Sequence, residues 1–111
     1  MEFDDIIPGV VSFATVNGDR DSGGHGTFVR IPAGQATPLH THGADYHAVV
    51  IAGIFENPIE GDDTSAAQLT AGSYYFVPKG AAHVSRCAAV SPTDCLTYFH
   101  QSTSFDFAVA E

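Results

Sequence analysis

The chain has 111 residues, of which 44% are hydrophobic and 15% are charged. This length predicts one small domain over residues 1–111, and the composition is sufficient for a packed core and excludes a disordered chain. Thirteen acidic residues against four Lys and Arg give a net charge of −9, so nucleic acid and anionic membrane surfaces are poor candidate partners.

The predicted elements are short segments rich in β-branched and aromatic residues and bounded by Gly, Pro, Asn or Asp. In chain order they are Val10–Val16, Gly26–Ile31, His47–Ala52, Ser73–Val77, Val84–Cys87, Leu96–His100 and Phe105–Val109. The one helical candidate, Thr64–Leu69, is short. Many short strands with close turns predict an all-β sandwich or barrel.

Several of these strands are apolar on both faces. In Ser73–Val77, for example, Tyr74 and Phe76 point one way while Tyr75 and Val77 point the other. One face would line the barrel, and the other needs a second sheet or a second subunit to cover it. The pattern therefore predicts a homodimer.

The start of the chain lacks the basic and apolar regions of a secretory signal, and no apolar stretch is long enough to cross a bilayer. A chain trimmed of its signal would look the same.

Cys87 and Cys95 flank a short segment between two strand signals, and a hairpin there would bring the sulfur atoms together. We predict a disulfide, which favours a periplasmic or secreted protein; two reduced thiols in a cytosolic protein are the alternative.

Four of the six histidines lie in two patterned blocks. The first block contains Gly34, His40, His42, His47 and Gly53, and the second contains Gly72, Pro78, Gly80, His83 and Cys87. Residues two apart in a strand project from the same face, so His40 and His42 are expected to point into one cavity. His83 follows a tight turn that could return its strand beside them. Converging imidazoles predict a site for one divalent transition metal, namely Fe, Zn, Cu, Ni or Mn.

These two blocks resemble the two signature motifs of the cupin superfamily. The matching residues are Gly34, His40, His42, Gly53, Gly72, Pro78, Gly80 and His83. The resemblance covers roughly residues 24–100 and implies a double-stranded β-helix, a jelly-roll barrel with a metal at its centre. Within the superfamily, the segments His40–Val50, Gly72–Pro78 and Phe105–Phe107 are similar to small bacterial single-domain cupins of unassigned function.

The chain departs from the family pattern at the glutamate of the first motif. The spacing to Gly53 places Tyr46 there, whereas metal chemistry favours His47, because a phenol binds divalent ions weakly unless it is ionised. We predict the ligand set His40, His42, His47 and His83, or three histidines with His47 as a neighbour. Asp45 is either an oxygen ligand or a turn residue. Cys87, at the position of the family's asparagine, could be a thiolate ligand, but pairing with Cys95 fits better.

The leading functional hypothesis is a metal-dependent dioxygenase acting on a small chelating or enolisable organic compound. Aromatic side chains and His100 would line its pocket: Tyr46, Tyr74, Phe76, Tyr98 and Phe99. His100 could equally be a partly exposed strand residue, and His25 is expected in a glycine-rich loop. No separate catalytic nucleophile or acid/base pair stands out. The alternatives are a ligand-binding or sensory cupin with a structural zinc site, and an isomerase or lyase of similar fold.

Overall fold

The chain folds into ten β-strands and one short 3-10 helix over residues 1–110, which the computed structural model describes. The strands are β1 (Asp4–Ile7), β2 (Val11–Gly18), β3 (His25–Ile31), β4 (His40–Thr41), β5 (Tyr46–Ala52), β6 (Phe55–Glu56), β7 (Tyr74–Val77), β8 (Arg86–Cys87), β9 (Cys95–Gln101) and β10 (Ala108–Val109). The helical candidate Thr64–Leu69 overlaps only a 3-10 helix, Asp63–Ala66. The all-β prediction is confirmed.

Six strands form one antiparallel sheet in the order β1-β2-β3-β9-β5-β7, and the pairs β10-β4 and β6-β8 form two small sheets. β9 lies between β3 and β5, so its neighbours are far from it in sequence. Such long-range antiparallel pairings are typical of a jelly roll, in which distant strands close around one core. This architecture brings residues around position 40 next to residues around positions 83 and 106.

The inner face of the large sheet carries the hydrophobic core. Phe13 pairs with Val29, and Val29 pairs with Thr97, so the three side chains lie on the same face of neighbouring strands. The fully buried apolar residues include Ile31, Val50, Phe55 and Val77. Burial of such side chains stabilises the fold by about 25 cal/mol per Å² of apolar surface.

The disulfide prediction is confirmed, because Cys87 and Cys95 are joined with their Cα atoms 5.5 Å apart. The predicted hairpin between them is wrong: β8 pairs with β6, whereas β9 pairs with β3 and β5. The bond therefore links a small sheet to the large one. Among the described residues, no helix is both long and apolar enough to span a membrane.

Candidate metal centre

Three buried histidines, His40, His42 and His83, converge inside the barrel. One ring nitrogen from each lies within 4.8 Å of the others. His40 and His83 are held side by side by a pair of backbone hydrogen bonds, each 3.0 Å long, between their amides and carbonyls. His42 lies just beyond β4 and reaches the same space, since it is two residues from His40 and shares its face.

The backbone orients all three imidazole rings. In each ring Nδ1 lies against a carbonyl oxygen and must therefore carry the proton that it donates. The acceptors are Pro38 for His40 (2.7 Å), Ala81 for His83 (3.0 Å) and Asp106 for His42. This leaves the Nε2 lone pairs without a proton of their own, which is the tautomer that presents Nε2 to a metal ion.

Burial also keeps these rings neutral. It lowers the pKa of His40 and of His83 to about 4, and it lowers the pKa of His42 in the same direction. The rings are therefore deprotonated at neutral pH, as metal ligation requires. Three neutral, pre-oriented imidazoles fit a divalent transition metal, and the donor set suits several of them.

His47 does not join this cluster, so its prediction as the fourth ligand is wrong. It lies on the outer face of β5, exposed to solvent, with its ring against the Tyr74 hydroxyl. Adjacent strand residues point to opposite faces, so an inward Tyr46 forces His47 outward. The position indicated by the family spacing, Tyr46, is the one inside the barrel. Asp45 lies in the loop before β5, where its carboxylate accepts the amide proton of Lys79 at 2.6 Å.

The Tyr46 hydroxyl is placed at the histidine cluster. Its Oη lies 3.2 Å from Nε2 of His83, to which it donates a hydrogen bond. Burial raises the pKa of Tyr46 well above its usual value, so the phenol stays protonated at neutral pH. Tyr46 therefore satisfies the Nε2 lone pair of His83 in the absence of a metal ion, and an ion bound to that nitrogen would leave its hydroxyl free to donate to another acceptor.

The cluster borders a cavity of about 50 Å³ that opens to solvent. Of the predicted pocket residues, Tyr46 and Phe99 line it. Tyr74, Phe76, Tyr98 and His100 lie on the outer face of the sheet instead, and their assignment to the pocket is wrong. The same alternation explains this, since Tyr75, Thr97 and Phe99 occupy the inward positions of β7 and β9.

The C-terminal segment supplies site residues that the sequence analysis did not assign. Phe107 stacks on the His40 ring with centroids 4.3 Å apart, and Phe105 packs 5.4 Å from the His42 ring. The Asp106 carboxylate accepts the amide proton of Gly43. The sequence signal that could have indicated these residues is the spacing of Phe105 and Phe107, which would project from the same face of a strand. His25 also differs from its predicted loop position, because it begins β3 and is buried.

The antiparallel barrel and its internal histidine triad define a protein with the cupin fold. The chain belongs to the family described as domain of unknown function DUF4437, whose family model matches residues 4–108. No curated protein matches it.

Many solved structures share the fold, and three of them serve as examples. A cupin-like protein of unknown function from Ralstonia eutropha JMP134 is 17% identical, with a TM-score of 0.69 over 89% of this chain and 65% of that one. The DMSP lyase DddQ from Ruegeria pomeroyi DSS-3 is 19% identical, with a TM-score of 0.73 over 91% of this chain and 55% of that one. The polyketide cyclase RemF from Streptomyces resistomycificus is 14% identical, with a TM-score of 0.77 over 99% and 80%. The chain thus spans less than two thirds of the first two proteins.

Proposed function

We propose that this protein is a metal-dependent enzyme whose histidine triad binds a divalent ion and, through it, an oxygen atom of a small organic substrate. The observation that carries this proposal is the convergence of three buried imidazoles, two of which, those of His40 and His42, line a cavity that opens to solvent. Among the described residues, only His40, His42 and His83 form such a donor group. Three protein ligands leave coordination positions for water or substrate, which distinguishes a catalytic site from a closed structural zinc site.

The reaction that the site supports best is a proton transfer next to a carbonyl, as in an isomerase or lyase. A bound divalent ion would supply Lewis-acid polarisation of a carbonyl or enolate oxygen. The protonated Tyr46 hydroxyl would donate a hydrogen bond to the same oxygen, and a water molecule in the cavity would accept the proton that leaves the carbon, because no carboxylate or lysine among the described residues lines the cavity. A lyase and a cyclase among proteins of the same fold are compatible with this proposal.

The dioxygenase hypothesis is the second candidate. It is favoured by the all-nitrogen donor set, which suits Fe(II) or Cu(II) and leaves room for both a substrate and O2. Oxygen consumption by the Fe(II)-loaded protein in the presence of diketones, thiols or phenols would select it over proton-transfer chemistry.

The proposal is tested by replacing Tyr46 with Phe. Metal analysis should find about one ion per chain in the wild type and in Tyr46→Phe, since Tyr46 is not one of the three nitrogen donors. Metal-dependent hydrogen–deuterium exchange at the carbon next to the carbonyl of a panel of ketones should fall by roughly 10²–10⁴-fold in the variant. The matched control is Tyr74→Phe, which removes a hydroxyl from the outer face. Absence of stoichiometric metal, or equal exchange rates in both variants, would contradict the proposal.

Two further expectations from the sequence remain proposals. We propose a homodimer through the outer face of the large sheet, where Tyr74 is 62% and Phe76 is 40% exposed. Their cross-strand neighbours on β5, Val49 and His47, carry no carboxylate, so two acidic chains can approach there. We also propose an oxidising compartment, periplasmic or extracellular, because the disulfide is buried.

A further inference from the structure

The wall of the cavity carries no Lys, Arg, Asp or Glu side chain among the described residues. Apart from the histidines, its polar members are the hydroxyls of Thr37, Tyr46, Tyr75, Ser85 and Thr97. Its apolar members include Val11, Phe13, Val29, Ile31, Phe99 and Phe105. No charged side chain of the cavity wall can therefore compensate a charged group of the substrate. The only compensating charge would be that of the bound metal ion.

The donor set leaves the charge of a divalent ion unbalanced. All three ligands are imidazoles whose Nδ1 protons are donated to backbone carbonyls, and no carboxylate joins them. An ion of charge +2 in a buried, largely apolar site strongly favours an anionic ligand. One oxyanion at the metal satisfies this demand, whereas a second charge further in would be desolvated without a partner.

The C-terminal segment shapes the part of the cavity next to the metal. Phe105 packs edge-on against Phe13 with ring centroids 4.9 Å apart, and it also contacts the His42 ring. Phe99 lies 5.6 Å from Phe13 in a similar arrangement. Aromatic rings meeting at such angles provide both faces and edges for another ring to pack against.

We infer that the ligand of this site is an apolar, ring-bearing compound with a single ionised oxygen group, which binds the metal while the ring packs against Phe105 and its aromatic neighbours. Phe105 is then a residue that determines substrate specificity. This inference rests on the proposed function, because it requires the metal at the histidine triad. The site is then expected to bind apolar monoanions, such as enolates, phenolates and monocarboxylates, more tightly than polyols and dianions.

Three carboxylates test the inference by isothermal titration calorimetry on the zinc-loaded protein. Acetate carries the oxyanion alone, benzoate adds an apolar ring, and terephthalate adds a second carboxylate at the far end of that ring. Benzoate should bind at least about tenfold more tightly than acetate, from burial of the ring. The affinity for benzoate should exceed that for terephthalate by a similar factor, because the far carboxylate of terephthalate has no partner in the cavity. Equal affinities for the three, or no binding of benzoate to zinc-loaded protein, would overturn the inference.

Phe105→Leu tests the specificity role, with Phe76→Leu on the outer face as the matched control. Phe105→Leu should reduce benzoate affinity several-fold without changing acetate affinity or zinc content, while Phe76→Leu should change none of the three. An equal loss for acetate and benzoate would contradict direct contact with the ring. Zinc content is measured separately, so failure to bind zinc refutes the proposed function, whereas normal zinc content without selectivity refutes only this inference.

Discussion

Acidification of the metal-free protein should destabilise it through two of the site histidines. The pKa of His40 and of His83 is about 4 in the folded protein and about 6.5 in the unfolded chain. Between these values the unfolded state binds protons that the folded state does not, so stability is lost as the pH falls from 6.5 towards 4. At pH 5 this amounts to about 2 kcal/mol for each histidine. The combined effect is about 4 kcal/mol if the two rings titrate independently.

The measurement is urea denaturation of metal-free protein at pH 7 and pH 5, for the wild type and for His83→Gln. Carboxylates also titrate in this acidic chain, so the informative quantity is the difference between the two proteins in their loss of stability. His83→Gln removes one of the two buried groups and should lose about 2 kcal/mol less than the wild type between these pH values. His47→Gln, which removes an exposed histidine, is the control and should behave as the wild type does.

Equal losses in the wild type and in His83→Gln would refute the reasoning. That result would mean that the His83 ring is either solvated or already protonated in the folded protein. In either case the neutral, pre-oriented cluster described above would not exist in the metal-free state.

Three further outcomes are expected. His42→Ala should weaken zinc binding by more than about 100-fold, because losing even a residue that hydrogen-bonds to a metal ligand costs about 10–100-fold in affinity. His47→Ala should leave zinc affinity unchanged. Both affinities are measured by competition titration with a chromogenic chelator. Reduction of the Cys87–Cys95 disulfide should lower the free energy of unfolding by about 2–3 kcal/mol, as measured by denaturation with and without reductant. Tyr74→Lys should convert a dimer to monomers in sedimentation velocity, because it places like charges opposite each other in the proposed interface; an unchanged sedimentation coefficient would exclude that interface.

Local pattern was sufficient to predict most strands of the large sheet and the two inward histidines of the first block, but it missed the strands β1, β4 and β6. β3, β5, β7 and β9 each fall within two residues of a predicted segment at either end, because β-branched and aromatic runs bounded by turn residues have few alternative structures. The predicted disulfide also formed, although between sheets and not across a hairpin.

The errors share one physical origin, which is the choice of face. His47 was preferred to Tyr46 for its chemistry as a ligand, but the alternation along β5 admits only one of the two into the barrel. The same choice misplaced Tyr74, Phe76 and Tyr98, because a strand that is apolar on both faces does not reveal which face is inside.

The sequence by itself determined that this chain is a β-barrel with imidazoles at two spaced positions, since strand propensity and the two-residue period are local properties. Only the tertiary structure decided which aromatic residues share the cavity and that Asp106 and Phe107 contact histidines more than sixty residues away. Those contacts depend on which strands become neighbours. Strand pairing is set by burial across the entire chain, and no short segment contains that information.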